Sequence, residues 1–154
     1  MSLTTNRKAA LIGVLLLTAQ LLLIALLAWP CGVPVKNWIA FIPIAAALAL
    51  GIWTLCFNRP GNFNFRPEVK RNARLIVTGP YAWIRHPMYT GIFLFGVGAL
   101  LVYPTWTKLV CWLLLALVLR AKATREEQAL QARFPEYRDY SARVGRFLPK
   151  MKTA

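Results

Sequence analysis

One histidine occurs in this chain, within the run GPYAWIRHPMYTG from Gly79 to Gly91, between Arg85 and Pro87. An imidazole, a guanidinium and the aromatic rings of Tyr81, Trp83 and Tyr89 can together hold an anion, stack on a ring or a cation, or move a proton. Pro87 disfavours helix at His86 and can itself open a helix. His86 is therefore expected at the N-terminal lip of a helix, where free N–H groups and the positive dipole end lie. Gly91 removes a side chain where another group could approach the backbone. The plain alternative is an interfacial anchor, because aromatics, Arg and His gather at headgroup level. A second set follows further along: Arg120, Lys122 and Arg125, then Glu126 and Glu127. A carboxylate pair beside a membrane helix is costly unless partnered, so one of the two could face a cationic ligand. The alternative is a salt-bridged helix surface, with Lys122 and Glu126 paired at i,i+4.

What must position these residues is a strongly apolar chain. Of its 154 residues 58% are hydrophobic, and acids are few. Four apolar segments, about Ala9–Trp29, Trp38–Phe57, Met88–Tyr103 and Thr105–Leu119, read as membrane helices, although the last two are short for full spans. Lys36 and Lys108 stand alone in the two tight connectors, while the other seventeen of nineteen Lys and Arg fall at the N-terminus, in the central loop or after the fourth segment. The positive-inside rule then puts both termini and the central loop in the cytoplasm. The net charge of +14 is read as topology and attraction to anionic headgroups, with no nucleic-acid motif beside it. The first segment is expected to be a signal anchor, being long for an h-region and lacking a small-x-small site. Cys31, Cys56 and Cys111 show no ligand spacing and are expected to be small packing groups; with one histidine, no metal is expected.

The fold class expected is thus an all-α integral membrane protein. It has about four transmembrane helices in two hairpins, a cytoplasmic central loop and a short amphipathic C-terminal helix. One membrane domain covers 1–154, with 9–57 as a scaffold hairpin empty of chemistry and 58–149 as the region that holds the candidate residues. Pro104 suits the first turn of the fourth helix, which meets no breaker until Pro135 and so extends to about Arg133. Beyond it, Tyr137, Tyr140 and Val144 recur at helical spacing, as a stripe that can fold back on the central loop or lie on the membrane. Gly96 and Gly98 lack a dinucleotide fingerprint and fit close helix packing.

The run LIVTGPYAWIRHPMYTG, followed after one hairpin by EEQALQARFPEYRDYSARVGRFLP, closely resembles the isoprenylcysteine carboxyl methyltransferase family. The wider group includes phospholipid N-methyltransferases. The shared residues are Gly79, Tyr81, Arg85, His86, Pro87, Tyr89 and Gly91, then Glu126, Glu127, Leu130, Phe134, Tyr137, Tyr140, Val144 and Pro149. They span about Leu75 to Pro149, and the N-terminal scaffold adds nothing to the resemblance. It implies S-adenosylmethionine as methyl donor, bound at the cytoplasmic face by Leu75, Ile76, Tyr81, His86, Pro87, Met88, Tyr89 and Glu126. Aromatic faces and a carboxylate suit a sulfonium cation, while His86 and the helix N-terminus could hold the donor's own carboxylate. The family often shows R-x-x-x-E-E, its arginine reaching the acceptor; here Lys122 takes that place. Lysine attracts a carboxylate but lacks the planar fork.

The resemblance implies methylation of a lipophilic acceptor, foremost a carboxylate such as a prenylated cysteine terminus. Such an acceptor is already ionised at neutral pH, so alignment and exclusion of water are the main tasks. Lys122 and Arg120 would take its charged end, with Arg85 in support. An amine acceptor would also need a base, His86 or Glu127. A nicotinamide-dependent membrane reductase and a non-enzymatic scaffold are the remaining readings.

Overall fold

The computed structural model describes residues 3–34, 38–58 and 75–150, with side chains from Arg7 onward. The expectation for the central loop falls mostly on 59–74, outside the described residues. Five helices follow in chain order: α1 (Leu3–Ala28), α2 (Phe41–Phe57, entered through a 3-10 turn at Trp38–Ala40), α3 (Pro87–Val102), α4 (Trp106–Arg133) and α5 (Tyr137–Arg143). Among the described residues there is no strand, only one isolated parallel bridge between Ile84 and Gly145. Arg7–Ala28 and Trp38–Phe57 are long and apolar enough to cross a membrane, whereas the apolar helix Pro87–Val102 is shorter.

The surfaces of α1 and α2 explain that length. Leu11, Leu15, Leu22, Leu48 and Ile52 are exposed, so apolar side chains cover the outside of these helices as well as their contacts. A helix apolar all round needs an apolar surrounding. Inside, Leu27 of α1, Ala99 of α3 and Cys111, Leu115 and Leu119 of α4 form the buried core. Cys111 is thus the packing cysteine expected, but Cys31 and Cys56 are exposed.

α3 sits between its neighbours because it is small on two sides. A Cβ on Gly98 would run into Ile44 and lie 3.1 Å from the Ala40 carbonyl oxygen, while one on Gly96 would lie 2.6 Å from the Trp112 ring. That indole donates to the Phe93 carbonyl at 3.2 Å, tying α4 to α3. Gly98→Ala is expected to destabilise by about 1–3 kcal/mol through overpacking. Gly51→Ala, whose methyl would meet nothing within 4 Å, is the neutral comparison. Melting temperatures of the two variants in detergent check this.

α4 begins one residue later than expected. Thr105 is its N-cap, its side chain accepting from Lys108 N, so Pro104 lies outside the first turn. Lys108 is no loop residue: it is buried, donates to the Leu27 carbonyl at 2.8 Å and stands 4.6 Å from the Tyr103 ring centre. At about 1.5 Å per residue α4 is about 42 Å long. Its apolar half ends near Leu119, and the rest carries Lys122, Glu126 and Glu127 on to α5.

Candidate functional site

The site forms where three pieces of chain meet: the segment entering α3, the last turns of α4, and the tail after α5. His86 is the N-cap of α3 and Pro87 its first residue. A proline there forfeits no helical hydrogen bond and fixes the entry angle. Ahead of it, Gly79 opens a 3-10 turn (Gly79–Ala82) with φ +61°, and any side chain at Gly79 would strike the Phe57 ring. After α5 the tail runs alongside this entry segment in parallel register: Arg85 N donates to the Gly145 carbonyl (2.8 Å) and His86 N to that of Arg146 (3.1 Å). Thr90 Oγ1 adds a bond to the Phe147 carbonyl at 2.8 Å, and Tyr140 Oη one to that of Tyr81 at 2.7 Å. Gly145 has no room for a Cβ because the Leu148 carbonyl occupies that place. The amphipathic α5, with Tyr137 and Tyr140 buried, is what folds the tail back.

Glu127 is the hub. Arg85 reaches it through Nε (3.1 Å) and Nη2 (3.0 Å), Arg146 through Nε (3.1 Å) and Nη2, and His86 through Nε2 (3.0 Å). Burial pushes the Glu127 carboxyl up, but His86, Arg146 and Arg85 outweigh it and hold the group down at about 2. His86 is also buried, which alone would lower its pKa; Glu126 and Glu127 more than reverse this, and the pKa is raised. The ring lies between two carboxylates, which favour its protonated form, with Glu126 Oε2 3.5 Å from Nδ1. Its face stacks on Tyr89, centroids 5.3 Å apart and planes 4° from parallel, and Phe147 covers it at 5.9 Å.

The signs of the two shifts differ. The His86 contribution to stability is complete below the ordinary value of 6.5 and is lost as pH rises through the raised one. The Glu127 contribution is complete above its ordinary 4.5 and is lost as pH falls towards about 2. The cluster therefore supports the fold most between these ordinary values. Melting temperature against pH in detergent is expected to fall on the alkaline side, and His86→Gln is expected to flatten that limb.

Glu126 differs from its neighbour. Its side chain is 37% exposed; Tyr89 Oη donates to Oε2 at 3.1 Å, and Oε1 has no hydrogen bond among the described residues. Nearby, Tyr81 accepts from Asn58 Nδ2 at 3.2 Å, while Asn58 Oδ1 is buried without a partner among the described residues. Burial and the Glu126 charge push the Tyr81 hydroxyl up to about 12, so it stays protonated and can donate. A carboxylate oxygen, an amide oxygen and two phenol rings make an acceptor-rich, aromatic wall.

Of the residues singled out from the sequence, Arg85, His86, Tyr81, Tyr89 and Glu126 come together here, with Pro87 fully buried and Met88 half-buried in the first turn of α3. Leu75 and Ile76 are half-buried in the segment leading to the 3-10 turn. The guanidinium of Arg85 is committed to Glu127 and to the Ser141 and Val144 carbonyls, which makes it a strut. Lys122 is buried, donates to Gln20 Oε1 of α1 and stands 5.6 Å from the Tyr89 ring centre; it makes no ion pair with Glu126. Arg120 is exposed, with no side-chain bond among the described residues. Gln20, Thr90 and Arg146 belong to the cluster and were missed. Gln20 brings α1 of the first hairpin against this cluster; its one signal in the sequence is a lone amide inside a leucine run.

Residues 38–132, from the turn before α2 to nearly the end of α4, match the isoprenylcysteine carboxyl methyltransferase family. The chain belongs to this family. The match takes in α2, which the sequence had given no weight, and stops short of the tail. Among similar proteins, protein-S-isoprenylcysteine O-methyltransferase of Rattus norvegicus is 33% identical over 123 residues, covering 70% of this chain and 42% of its own. A nickel-cobalt-cadmium resistance protein of Alcaligenes xylosoxydans xylosoxydans is 33% identical over 84 residues, 53% of this chain and 39% of its own. The lamin-B receptor of Drosophila melanogaster is 26% identical over 133 residues, 75% of this chain and 18% of its own. The chain thus spans less than half the length of these relatives. Among the described residues no three His, Cys, Asp or Glu stand together as metal ligands.

Proposed function

We propose that this family member is an integral membrane methyltransferase that uses S-adenosylmethionine and methylates the carboxylate of a lipophilic acceptor. The observation that carries this is the split of charge along the seam between α3 and α4. Among the described residues Glu126 has one carboxylate oxygen without a hydrogen bond beside Tyr89, and the Lys122 ammonium lies on the same tyrosine ring without an anionic partner. A cationic donor and an anionic acceptor would be held side by side.

The acceptor-rich wall fits the donor: Glu126 Oε1 and Asn58 Oδ1, which has no partner among the described residues, could take its ammonium or hydroxyl protons, and the faces of Tyr81 and Tyr89 suit a sulfonium. S-adenosylmethionine, when bound, supplies an electrophilic methyl group on sulfur. His86 holds Glu126 and Tyr89 in place; with both nitrogens on carboxylates it has no N–H left for the donor's own carboxylate. Burial of Lys122 would strengthen its contact with an anion, whereas Glu126 stays partly open to solvent. No base is required, because the acceptor is an anion already. An amine acceptor would need one, and this is where the geometry is least favourable. His86 has both nitrogens on carboxylates, and Glu127 is held at about 2 by its cations, so neither takes up a proton readily near neutrality.

In this proposal α1 to α4 lie in the membrane with both termini and the site on the cytoplasmic side, as the distribution of Lys and Arg indicates. Membranes containing the protein are expected to transfer labelled methyl from S-adenosylmethionine to a prenylcysteine, in a product that releases methanol in alkali. A label that survives alkali points to N-methylation and sinks the carboxylate reading.

A further inference from the structure

Lys122 and Gln20 form a polar pair with little reason to exist in a purely structural seam. Each is only 7% exposed, and they meet from different helices, the ammonium donating to the amide oxygen. Gln20 stands in the run TAQLLLIALLA, where every residue after it to Ala28 is apolar. Arg85 and Arg146 have a carboxylate in Glu127, but Lys122 has a neutral amide and a ring face. An amide oxygen satisfies one of three ammonium N–H groups, and Glu126 acts on the charge only through space, with no ion pair, so burial still disfavours the charged form. The contact also fixes the amide: its oxygen faces Lys122, so its Nε2 donor, borne on the same carbon, lies next to the ammonium. Among the described residues Nε2 makes no hydrogen bond. Two donors from two side chains then stand together, one charged and one neutral. A guanidinium offers such a pair from one group, and a carboxylate has two oxygens to accept it.

We propose that Gln20 and Lys122 together form the subsite for the acceptor's carboxylate, with Gln20 the specificity-determining residue. This rests on the carboxylate reading given above. The pair selects a planar oxyanion.

The test uses the full-length protein in membranes and detergent, with N-acetyl-S-farnesylcysteine and palmitate as probe carboxylates; the acceptor with the lower KM names the source of the carboxylate. Gln20→Glu places an anion on Lys122, so the tie between α1 and α4 survives and the melting temperature is expected to hold or rise. The same change cancels the charge offered to the acceptor, and KM is expected to rise about tenfold or more, with kcat changing less. Gln20→Ala is expected to raise KM, and adding Lys122→Arg to it is expected to restore KM to within about threefold, because the guanidinium supplies both prongs alone. A Gln20→Glu protein that is stable and keeps the wild-type KM overturns the subsite and leaves a structural tie. Should Gln20→Glu not fold, the Gln20→Ala pair of variants decides: an unchanged KM in the single variant, or no recovery in the double, overturns it. Wild-type protein that methylates amines but neither carboxylate overturns this proposal and the carboxylate reading together. Transfer to a carboxylate with indifferent Gln20 variants overturns this one only.

Discussion

Glu127→Ala is expected to cost about 3–5 kcal/mol of stability, the largest loss of any single substitution in the cluster, because it strips the counter-charge from buried cations. Three cationic side chains converge on this carboxylate, which is 8% exposed: Arg85, Arg146 and His86. Two of these also bind the tail backbone or α4. Arg85 holds the Ser141 and Val144 carbonyls, and Arg146 reaches Thr124 Oγ1 at 3.2 Å. Losing Glu127 therefore repels the cations from one another and loosens the tail that covers His86. The expected signature is a lowered melting temperature in detergent together with early proteolysis after α5. Glu127→Gln keeps the shape and two acceptor lone pairs but no charge, so it should fall between. A melting temperature within a degree or so of wild type for Glu127→Ala would show that the tail is held by its backbone bonds alone.

Much of this arrangement could be read from the residues. Apolar runs and the two prolines placed all five helices, including the continuous α4 and the amphipathic α5; the ends of α3 and α4 fall within a residue of expectation, while α1 starts six residues earlier, at Leu3, and α2 three later, at Phe41. The border position of His86 followed from Pro87, since the ring of a proline excludes helix before it and opens one after it. What could not be read was which side chain faces which. Arg85 was expected to support the acceptor, yet its neighbours in space are Glu127 and two carbonyls of a segment more than fifty residues away in sequence. Lys122 and Glu126 have the spacing of a helix ion pair, but each finds a better partner off its own helix: Gln20 for one, Tyr89 for the other. Local spacing fixes what can meet within a helix, while tertiary packing decides what does. Gln20 illustrates the reverse case, a polar residue in an apolar helix whose type alone was a signal, and whose partner lies 102 residues on.

Glu126→Gln is expected to leave the fold intact and weaken S-adenosylmethionine binding about 10–100-fold, the loss of a charge-assisted contact worth about 1.5–3 kcal/mol. The adjacent glutamates differ because about 100° of helix rotation separates them. One turns into the cations beneath the tail, whereas the other reaches the open edge of the cluster, with one oxygen on Tyr89 and the other without a hydrogen bond among the described residues. Removing its charge strands nothing, since His86 keeps Glu127. Stability and binding should thus separate: Glu126→Gln lowers affinity by calorimetry with the melting temperature of the unliganded protein nearly unmoved, while Glu127→Ala lowers the melting temperature first. Tyr89→Phe removes only the hydroxyl that orients Glu126 and keeps the ring under Lys122, so its loss of affinity should be smaller. If Glu126→Gln binds the donor as tightly as wild type, Glu126 is not part of the donor site. The charge split along α3 and α4 would then need another anion to face the sulfonium, and among the described residues Glu127, already shared by three cations, is in no position to serve.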